Sequence, residues 1–171
     1  MTDASAFEAF VRRFQDMVYA TAMRLLGNPA EAEDVAQTVF LKAFQRFEQI
    51  GPSEAAAGWL RTTTRHECLN HLSRYRARWR SLDDSVQTGS ATLLGSRPDT
   101  DFEHAETQAR LEQAIRSLPD HQRVPLVLFH FDELSYHEIA QILGVSLGKV
   151  KTDIHRGREA LKRVLIPHES V

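Results

Sequence analysis

Basic side chains that could bind nucleic acid are concentrated in two stretches of this sequence. Residues 61–80 contain six arginines and a single acidic residue, Glu67. Residues 149–163 contain six lysines and arginines. Such donors pair with phosphate oxygens or with guanine edges in the major groove. The pattern therefore predicts two nucleic-acid-binding surfaces, although two solvated helix faces would give the same charge distribution.

The second basic stretch lies within a pattern typical of two short helices joined by a tight turn. Ser135 and Glu138 have the spacing of a capping box, Gly144 ends the first helix, and Ser146 caps the second. Two short helices with a glycine in the turn form a helix-turn-helix. We expect Leu147, Val150 and Ile154 to point inward and the second helix to expose Lys149, Lys151, Thr152, His155 and Arg156. An ordinary helical hairpin with a charged outer face is the alternative for this segment alone.

Length and composition exclude several classes of protein. The chain has 171 residues, 42% of them hydrophobic and 26% charged, and a net charge of −2, which is typical of a globular protein. No apolar run approaches the roughly 20 residues that span a bilayer, and the N-terminus lacks a signal-peptide pattern. The single cysteine, Cys68, fits a reducing compartment. We therefore expect a cytoplasmic protein without membrane insertion.

Nearly every periodic segment favours a helix, because apolar residues recur at three- and four-residue spacing. A first helix is expected to end at Gly27, a second to begin at Pro29 after the cap Asn28, and a third to run from about Glu54 towards Arg78. Strands have little support, since sustained alternation and hairpin dipeptides are missing. The inward residues of the third helix are expected to be Trp59, Leu60, Thr63, Leu69 and Leu72.

The predicted fold class is all-α, with two small helical domains joined by a flexible linker. Residues 1–80 form the first domain, the polar segment 81–104 is the linker, and residues 105–171 form the second domain, which contains the helix-turn-helix. Pro125 falls inside the second helix of this domain. Proline removes a backbone donor there, so we expect either a kink or a helix that begins later than Pro119 suggests.

Catalytic chemistry has little support in the sequence. His66 and His71 are five positions apart, so they diverge around a helix and do not share one metal ion easily. Cys68 is interpreted as a small buried residue. A glycine-rich phosphate loop, a nucleophile elbow and an acidic metal cluster are all missing. We expect no catalytic residue, no bound metal and no cofactor.

Taken together, the motifs resemble those of extracytoplasmic-function sigma factors, which are bacterial transcription initiation factors. Residues 118–165 are similar to region 4, the promoter-binding domain, through Gly148 and the segments 118–119, 134–140, 143–146, 150–151 and 155–156. The N-terminal part is similar to region 2 through residues 32–37, 40–44 and 59–60, followed by the arginine-rich helix. The two matches occur in the family's order across a polar linker and cover most of the chain.

This resemblance implies partners and residue roles. The first domain would bind the clamp helices of the largest subunit of core RNA polymerase, through Asp34, Gln37 and Phe44, and would engage the melted downstream promoter element. The second would bind the flap of the second-largest subunit and read promoter DNA at the upstream element. Restraint by an anti-sigma protein is common in the family. The implied downstream contacts are Arg61, Arg65, His66, Asn70 and Arg74, and the upstream contacts are Lys149, Lys151, Thr152, His155, Arg156 and Arg158, of which Lys149 and Arg158 would hold phosphates.

The chain departs from the family pattern at two places. Residues 50–54 read Ile-Gly-Pro-Ser-Glu, where the family often has an aromatic, an arginine and an acidic residue for a flipped base. Lys149 and Asp153 occupy positions where threonine and arginine are frequent. Because Asp153 would repel phosphate, we expect it either to face an exocyclic amine or to point away from DNA.

Two other classes of protein compete with a sigma factor that directs promoter recognition and melting. A conventional DNA-binding regulator would explain the helix-turn-helix but not the basic third helix or the acidic segment between the two basic stretches. It also predicts tight promoter binding without polymerase. A small enzyme has no supporting motif.

Overall fold

The computed structural model describes residues 3–73 and 103–166. The chain divides into two units, Met1–Arg74 and Tyr75–Val171, and every regular element in the described ranges is a helix. This confirms the all-α, two-domain prediction. Most of the expected linker, residues 81–102, lies outside the described residues, and the next helix already begins at Glu103. No helix in the described ranges combines the length and apolar character needed to cross a bilayer.

The N-terminal unit is built from α1 (Asp3–Leu26), α2 (Pro29–Gln45), the short α3 (Phe47–Ile50) and α4 (Ala55–Ser73). Helices α1, α2 and α4 pack against one another around Val18, Leu25, Val39 and Leu60, each of which is fully buried. The predicted turn between α1 and α2 is confirmed. Gly27 adopts a left-handed backbone with φ 67°, and the Asn28 side chain accepts a hydrogen bond from the Glu31 N–H at 3.1 Å.

The C-terminal unit consists of α5 (Glu103–Ser117), α6 (Asp120–His130), α7 (Tyr136–Leu143) and α8 (Leu147–Leu165). Helix α8 packs against the other three, and Ile115, Leu128 and Ile154 are fully buried. Helices α6 and α8 approach closely at Gly157, where a Cβ atom would lie 2.9 Å from Leu126 Cδ1. The missing side chain at position 157 therefore allows the helix packing that supports α8.

The helix-turn-helix is formed by α7 and α8, as the sequence predicted. Ser135 and Glu138 form a reciprocal capping box, with both side-chain-to-backbone hydrogen bonds at 3.1 Å. Gly144 ends α7 in the left-handed conformation with φ 68°. Ser146 Oγ then accepts a hydrogen bond from the Lys149 N–H at 3.1 Å. These caps fix the positions at which α7 ends and α8 begins.

Three predictions about packing are wrong. Leu147, the first residue of α8, is 40% exposed, although it lies only about 20° around the helix from the fully buried Ile154. In α4, Trp59 and Thr63 are only half-buried, and Thr64 is buried instead, with its hydroxyl donating to the Leu60 carbonyl at 2.6 Å.

The third wrong expectation is a late start of the helix that contains Pro125, since α6 begins at Asp120, directly after Pro119, and continues through Pro125. Proline lacks only one hydrogen-bond donor. The residues around it, 123–128, are all buried, so their packing compensates for the missing bond.

Glu133 has a backbone conformation that suits glycine better. It is the only non-glycine residue with positive φ in the described ranges, at 57°. This conformation costs a residue with a Cβ roughly 1–2 kcal/mol. We expect Glu133→Gly to raise the free energy of unfolding by about 1 kcal/mol, because the unfolded chain's gain in entropy offsets part of that cost. The measurement is urea denaturation. Glu159→Gly, in right-handed α8, is the control and should lower stability, and a destabilised Glu133→Gly variant would contradict the prediction.

Candidate nucleic-acid interface

The solvent-facing side of α8 carries four of the six predicted upstream contacts. Lys151, Thr152, His155 and Arg156 are all exposed, and together they cover about 140° of the helix circumference. The opposite side packs into the unit through Val150, Ile154 and Gly157. We call the four exposed residues the recognition face. The structure therefore brings them together on one surface, as expected of the second helix of a helix-turn-helix.

The prediction that Lys149 is exposed is wrong. Its side chain is only 10% exposed, and its ammonium lies 2.8 Å from Oδ2 of Asp153, whose side chain is 5% exposed. This pair is positioned by the helix itself, because residues four apart lie on one side. The Asp153 charge is compensated inside the unit and is not directed at the recognition face. Of the two expectations for Asp153, the one in which it points away from DNA is therefore supported.

The Lys149–Asp153 pair gives a testable effect on stability. Removing one partner leaves the other charge in a position with little solvent, which costs several kcal/mol. We expect Asp153→Ala to lower the free energy of unfolding by roughly 2–4 kcal/mol, and Lys149→Met in the same chain to restore part of the loss. The control is Glu159→Ala, which breaks an exposed pair with Lys162 and should cost under about 1 kcal/mol. The measurement is urea denaturation. If Asp153→Ala and Glu159→Ala lower the free energy of unfolding equally, this role of the Lys149–Asp153 pair is refuted.

Arg158 is half-buried at the edge of the recognition face. Its Nε donates to His130 Nε2 at 3.1 Å, and its Cζ lies 5.4 Å from the centroid of the Phe129 ring. Burial lowers the pKa of His130, and the positive charge of Arg158 lowers it further. The neutral imidazole can then accept the hydrogen bond. Arg158 is thus held in place by α6, which its position in the sequence did not indicate.

The predicted downstream contacts do not share one face of α4. His66 and Asn70 are exposed and line one polar cleft, whereas Arg61 lies about 140° around the helix from His66. Arg61 is exposed and Arg65 is half-buried, with its Nε inaccessible to solvent. Arg74 lies outside the described residues. The structure therefore places His66 and Asn70 on a different side of α4 from the two arginines.

The cleft that contains His66 and Asn70 lies between α2 and α4 and has a volume of about 390 Å³. We call it the α2–α4 cleft. Across it, the Lys42 ammonium bonds to the Glu67 carboxylate. The sequence did not indicate the contribution of α2, because Lys42 and Gln45 precede Trp59, the nearest lining residue of α4, by 14 or more positions. The full lining is Lys42, Gln45, Arg46, Trp59, Thr63, His66, Glu67 and Asn70.

An apolar groove of about 740 Å³ lies between α1 and α2. Two of the predicted polymerase contacts, Gln37 and Phe44, line it, while Asp34 is exposed nearby on α2. Phe44 is 56% exposed and rests edge-on against Phe7, with ring centroids 5.0 Å apart. Leu41, which was not among the predicted polymerase contacts, is 65% exposed in the same groove. Its position four residues after Gln37 and three before Phe44 is the signal that could have indicated it.

Large apolar side chains exposed in a groove are typical of a protein-binding surface. Acidic Asp16 and Glu33 also line this α1–α2 groove. The molecule therefore combines a helix-turn-helix, whose second helix exposes basic side chains, with a separate groove suited to a protein partner. These features are those expected of a helical DNA-binding protein that also docks on another protein.

Comparison with known proteins identifies the family. The chain matches the models for Sigma-70 region 2 over residues 10–80 and for Sigma-70, region 4 over residues 108–161. It is 32% identical to the ECF RNA polymerase sigma factor SigW of Bacillus subtilis, with 95% of this chain and 90% of the relative covered. It is 31% identical to the RNA polymerase sigma-H factor of Pseudomonas aeruginosa, with coverage of 96% and 89%.

A third relative is the ECF RNA polymerase sigma factor SigE of Mycolicibacterium smegmatis, which is 34% identical over 96% of this chain and is spanned for 63% of its own length. The chain belongs to the extracytoplasmic-function RNA polymerase sigma factors. It is accordingly a transcription initiation factor, not an enzyme, that binds core RNA polymerase and directs promoter recognition. The family prediction made from the region 2 and region 4 motifs is confirmed.

Proposed function

We propose that two domains of this sigma factor divide promoter recognition between them. Residues 1–80 act as region 2, which binds the polymerase clamp and the melted downstream element. Residues 105–171 act as region 4, which binds the flap and reads the upstream element, and residues 81–104 connect the two. The observation that carries this proposal is the recognition face, because it presents base-reading side chains from the second helix of a helix-turn-helix. Its place of action is the cytoplasm, where polymerase meets DNA.

Upstream recognition is assigned to α8. The Lys151 and Arg156 side chains are exposed and can donate to guanine O6 and N7 in the major groove. Thr152 and His155 lie between them on the recognition face and offer further hydrogen-bonding groups. Arg158, at the edge, is suited to a phosphate. Lys149 is removed from the set of DNA contacts, since its ammonium is committed to Asp153.

Downstream recognition is assigned to the α2–α4 cleft and the arginines of α4. Melted DNA exposes bases that can be held by aromatic surfaces and hydrogen-bonding groups. The cleft offers the half-buried ring of Trp59 beside His66 and Asn70. Arg61 and Arg65, on another side of α4, are placed to hold the sugar–phosphate backbone rather than the same base.

The unusual 50–54 loop is fastened to α1. Arg13 donates to the Pro52 carbonyl at 3.2 Å and forms an ion pair with Glu54. Its guanidinium also lies over the Phe14 ring, 5.0 Å from the centroid. These contacts support a loop that is positioned before DNA arrives, even though it lacks the aromatic and arginine side chains frequent in the family.

Polymerase binding is assigned to the α1–α2 groove. Its exposed Leu41 and Phe44 supply apolar contact area, and Asp34 and Gln37 add polar groups beside it. The acidic side chains of Asp16 and Glu33 favour a partner helix with basic residues. These properties support docking of a clamp helix, as the family resemblance implies.

Run-off transcription tests the proposal. Core RNA polymerase, with and without this protein, is supplied with genomic DNA fragments, and discrete transcripts are expected only when the protein is added. Without core polymerase, the protein should give only weak footprints on the same fragments. Strong footprints by the free protein, without new transcripts, would favour the alternative of a conventional DNA-binding regulator.

A further inference from the structure

Helices α6, α7 and α8 meet at a cluster beside the recognition face. It consists of Phe129, His130, Tyr136 and Arg158, and we call it the Arg158 cluster. Arg158 follows Lys151 by seven residues and His155 by three, so it projects from nearly the same side of α8. The cluster therefore borders the surface to which DNA binding is assigned.

Two contacts hold the Arg158 guanidinium. The Nε–H donates to Nε2 of His130 at 3.1 Å, and the guanidinium carbon lies 5.4 Å from the Phe129 ring centroid, within the range of a cation–π contact. The Phe129 ring is itself packed against Tyr136 and His130, at centroid distances of 4.7 and 5.0 Å. Arg158 and the side chains that hold it therefore come from three helices.

This arrangement uses the Nε–H donor of the Arg158 guanidinium and leaves its terminal N–H donors for another ligand. In the described part of the chain, the guanidinium makes no hydrogen bond besides the one to His130. The pair of terminal N–H groups of arginine matches two phosphate oxygens. A side chain that is already held loses less conformational freedom when it binds.

We propose that His130 is a positioning residue that holds Arg158 so that its terminal N–H groups clamp a DNA phosphate at the edge of the recognition face. This inference rests on the proposed binding of α8 to promoter DNA. His130 makes no contact with DNA in this arrangement and acts through Arg158 alone. The ligand of Arg158 is a backbone phosphate, so the contact contributes equally at every DNA sequence.

The protonation state of His130 supports this arrangement. A neutral imidazole can accept at Nε2 when its proton is on Nδ1, whereas the imidazolium only donates. Partial burial and the Arg158 charge both lower the pKa of His130 from its ordinary value of 6.5. Around neutral pH the ring is therefore the acceptor that Arg158 requires.

Salt-dependent binding of the full chain to DNA tests the proposal. Because a phosphate contact is independent of sequence, the probe is a fluorescein-labelled mixed-sequence duplex of about 30 base pairs at low salt. Arg158→Ala is expected to reduce the slope of log affinity against log salt by about 0.9. His130→Ala should weaken binding in the wild-type chain but not in the Arg158→Ala chain. His130→Gln should restore binding, because its amide oxygen can accept the Nε–H.

The variants separate this inference from the proposed function. If Lys151→Ala and Arg156→Ala weaken binding while His130→Ala and Arg158→Ala do not, only the positioning role fails. If none of the four matters, DNA binding by α8 fails as well. A loss from His130→Ala that is equal in both backgrounds, or that glutamine does not restore, also overturns the inference, since it would reflect altered folding.

A second measurement needs no DNA. Arg158→Ala is expected to raise the pKa of His130 towards its ordinary value, because the neighbouring cation and the bond to Nε2 are both removed. The imidazole carbon-bound protons report this pKa in an NMR titration of the full chain. An unchanged pKa would show that the two side chains do not share the bond in solution and would overturn the proposal.

Discussion

Phe44→Ala in the α1–α2 groove is expected to weaken binding to core RNA polymerase by about 30-fold, the effect of a loss near 2 kcal/mol. Phe44 is 56% exposed, and its ring packs edge-on against Phe7. The ring is therefore preorganised for a partner. An exposed aromatic side chain that becomes buried on binding is a common hot spot of protein interfaces. The measurement is titration of fluorescently labelled protein with purified core polymerase.

Matched variants show whether the loss belongs to this surface. Asp34→Ala combined with Gln37→Ala should weaken binding by about 10-fold, because polar groups beside a hot spot contribute less. Glu48→Ala with Gln49→Ala also removes an exposed carboxylate and an exposed amide, but from α3, outside the groove, and should leave affinity unchanged. If Phe44→Ala binds core polymerase as tightly as the wild-type protein, the groove is not the docking surface.

The caps and turns of this fold were predictable because their signals lie within a few residues of one another. The Ser135–Glu138 capping box and the left-handed Gly144 depend only on local backbone geometry. The same is true of the Gly27–Asn28 turn between α1 and α2. Helical periodicity also identified Leu60, Leu69 and Leu72 of α4 and Val150 and Ile154 of α8 as buried, since a fixed angle per residue converts spacing into a face.

The chemical state of the site residues was less predictable, because it depends on contacts between distant parts of the chain. Arg158 bonds to His130, 28 positions earlier, and nothing local distinguishes it from the freely exposed Arg156. Lys42 meets Glu67 across 25 positions and completes one side of the α2–α4 cleft.

Lys149 shows the limit of transferring a residue role by position alone. The family resemblance implies a DNA contact at this position, yet the residue four positions later is an aspartate, and both side chains are largely buried. The 149–153 spacing could have indicated this pair. Its burial could not be foreseen, since it depends on how the neighbouring helices cover that side of α8.

Lys151 and Arg156 should each contribute base recognition at the upstream element. Both are exposed, and they lie about 140° apart around α8 with Thr152 and His155 between them. This separation places them at the two margins of the recognition face. We therefore expect the two side chains to affect different positions of the element, and each alanine variant to lose roughly 1–3 kcal/mol at its own position.

Selection of active promoters from a library randomised in the upstream element measures this effect. Lys162→Ala is the control, because it removes an equally basic, exposed side chain of α8 that lies eleven positions beyond Lys151 and near Glu159. Lys162→Ala should leave the selected sequence unchanged, whereas the other two variants should each relax it at one or two positions. A uniform loss of transcription across all library members would identify Lys151 and Arg156 as phosphate contacts, and base reading would then have to come from Thr152 and His155, which lie between them.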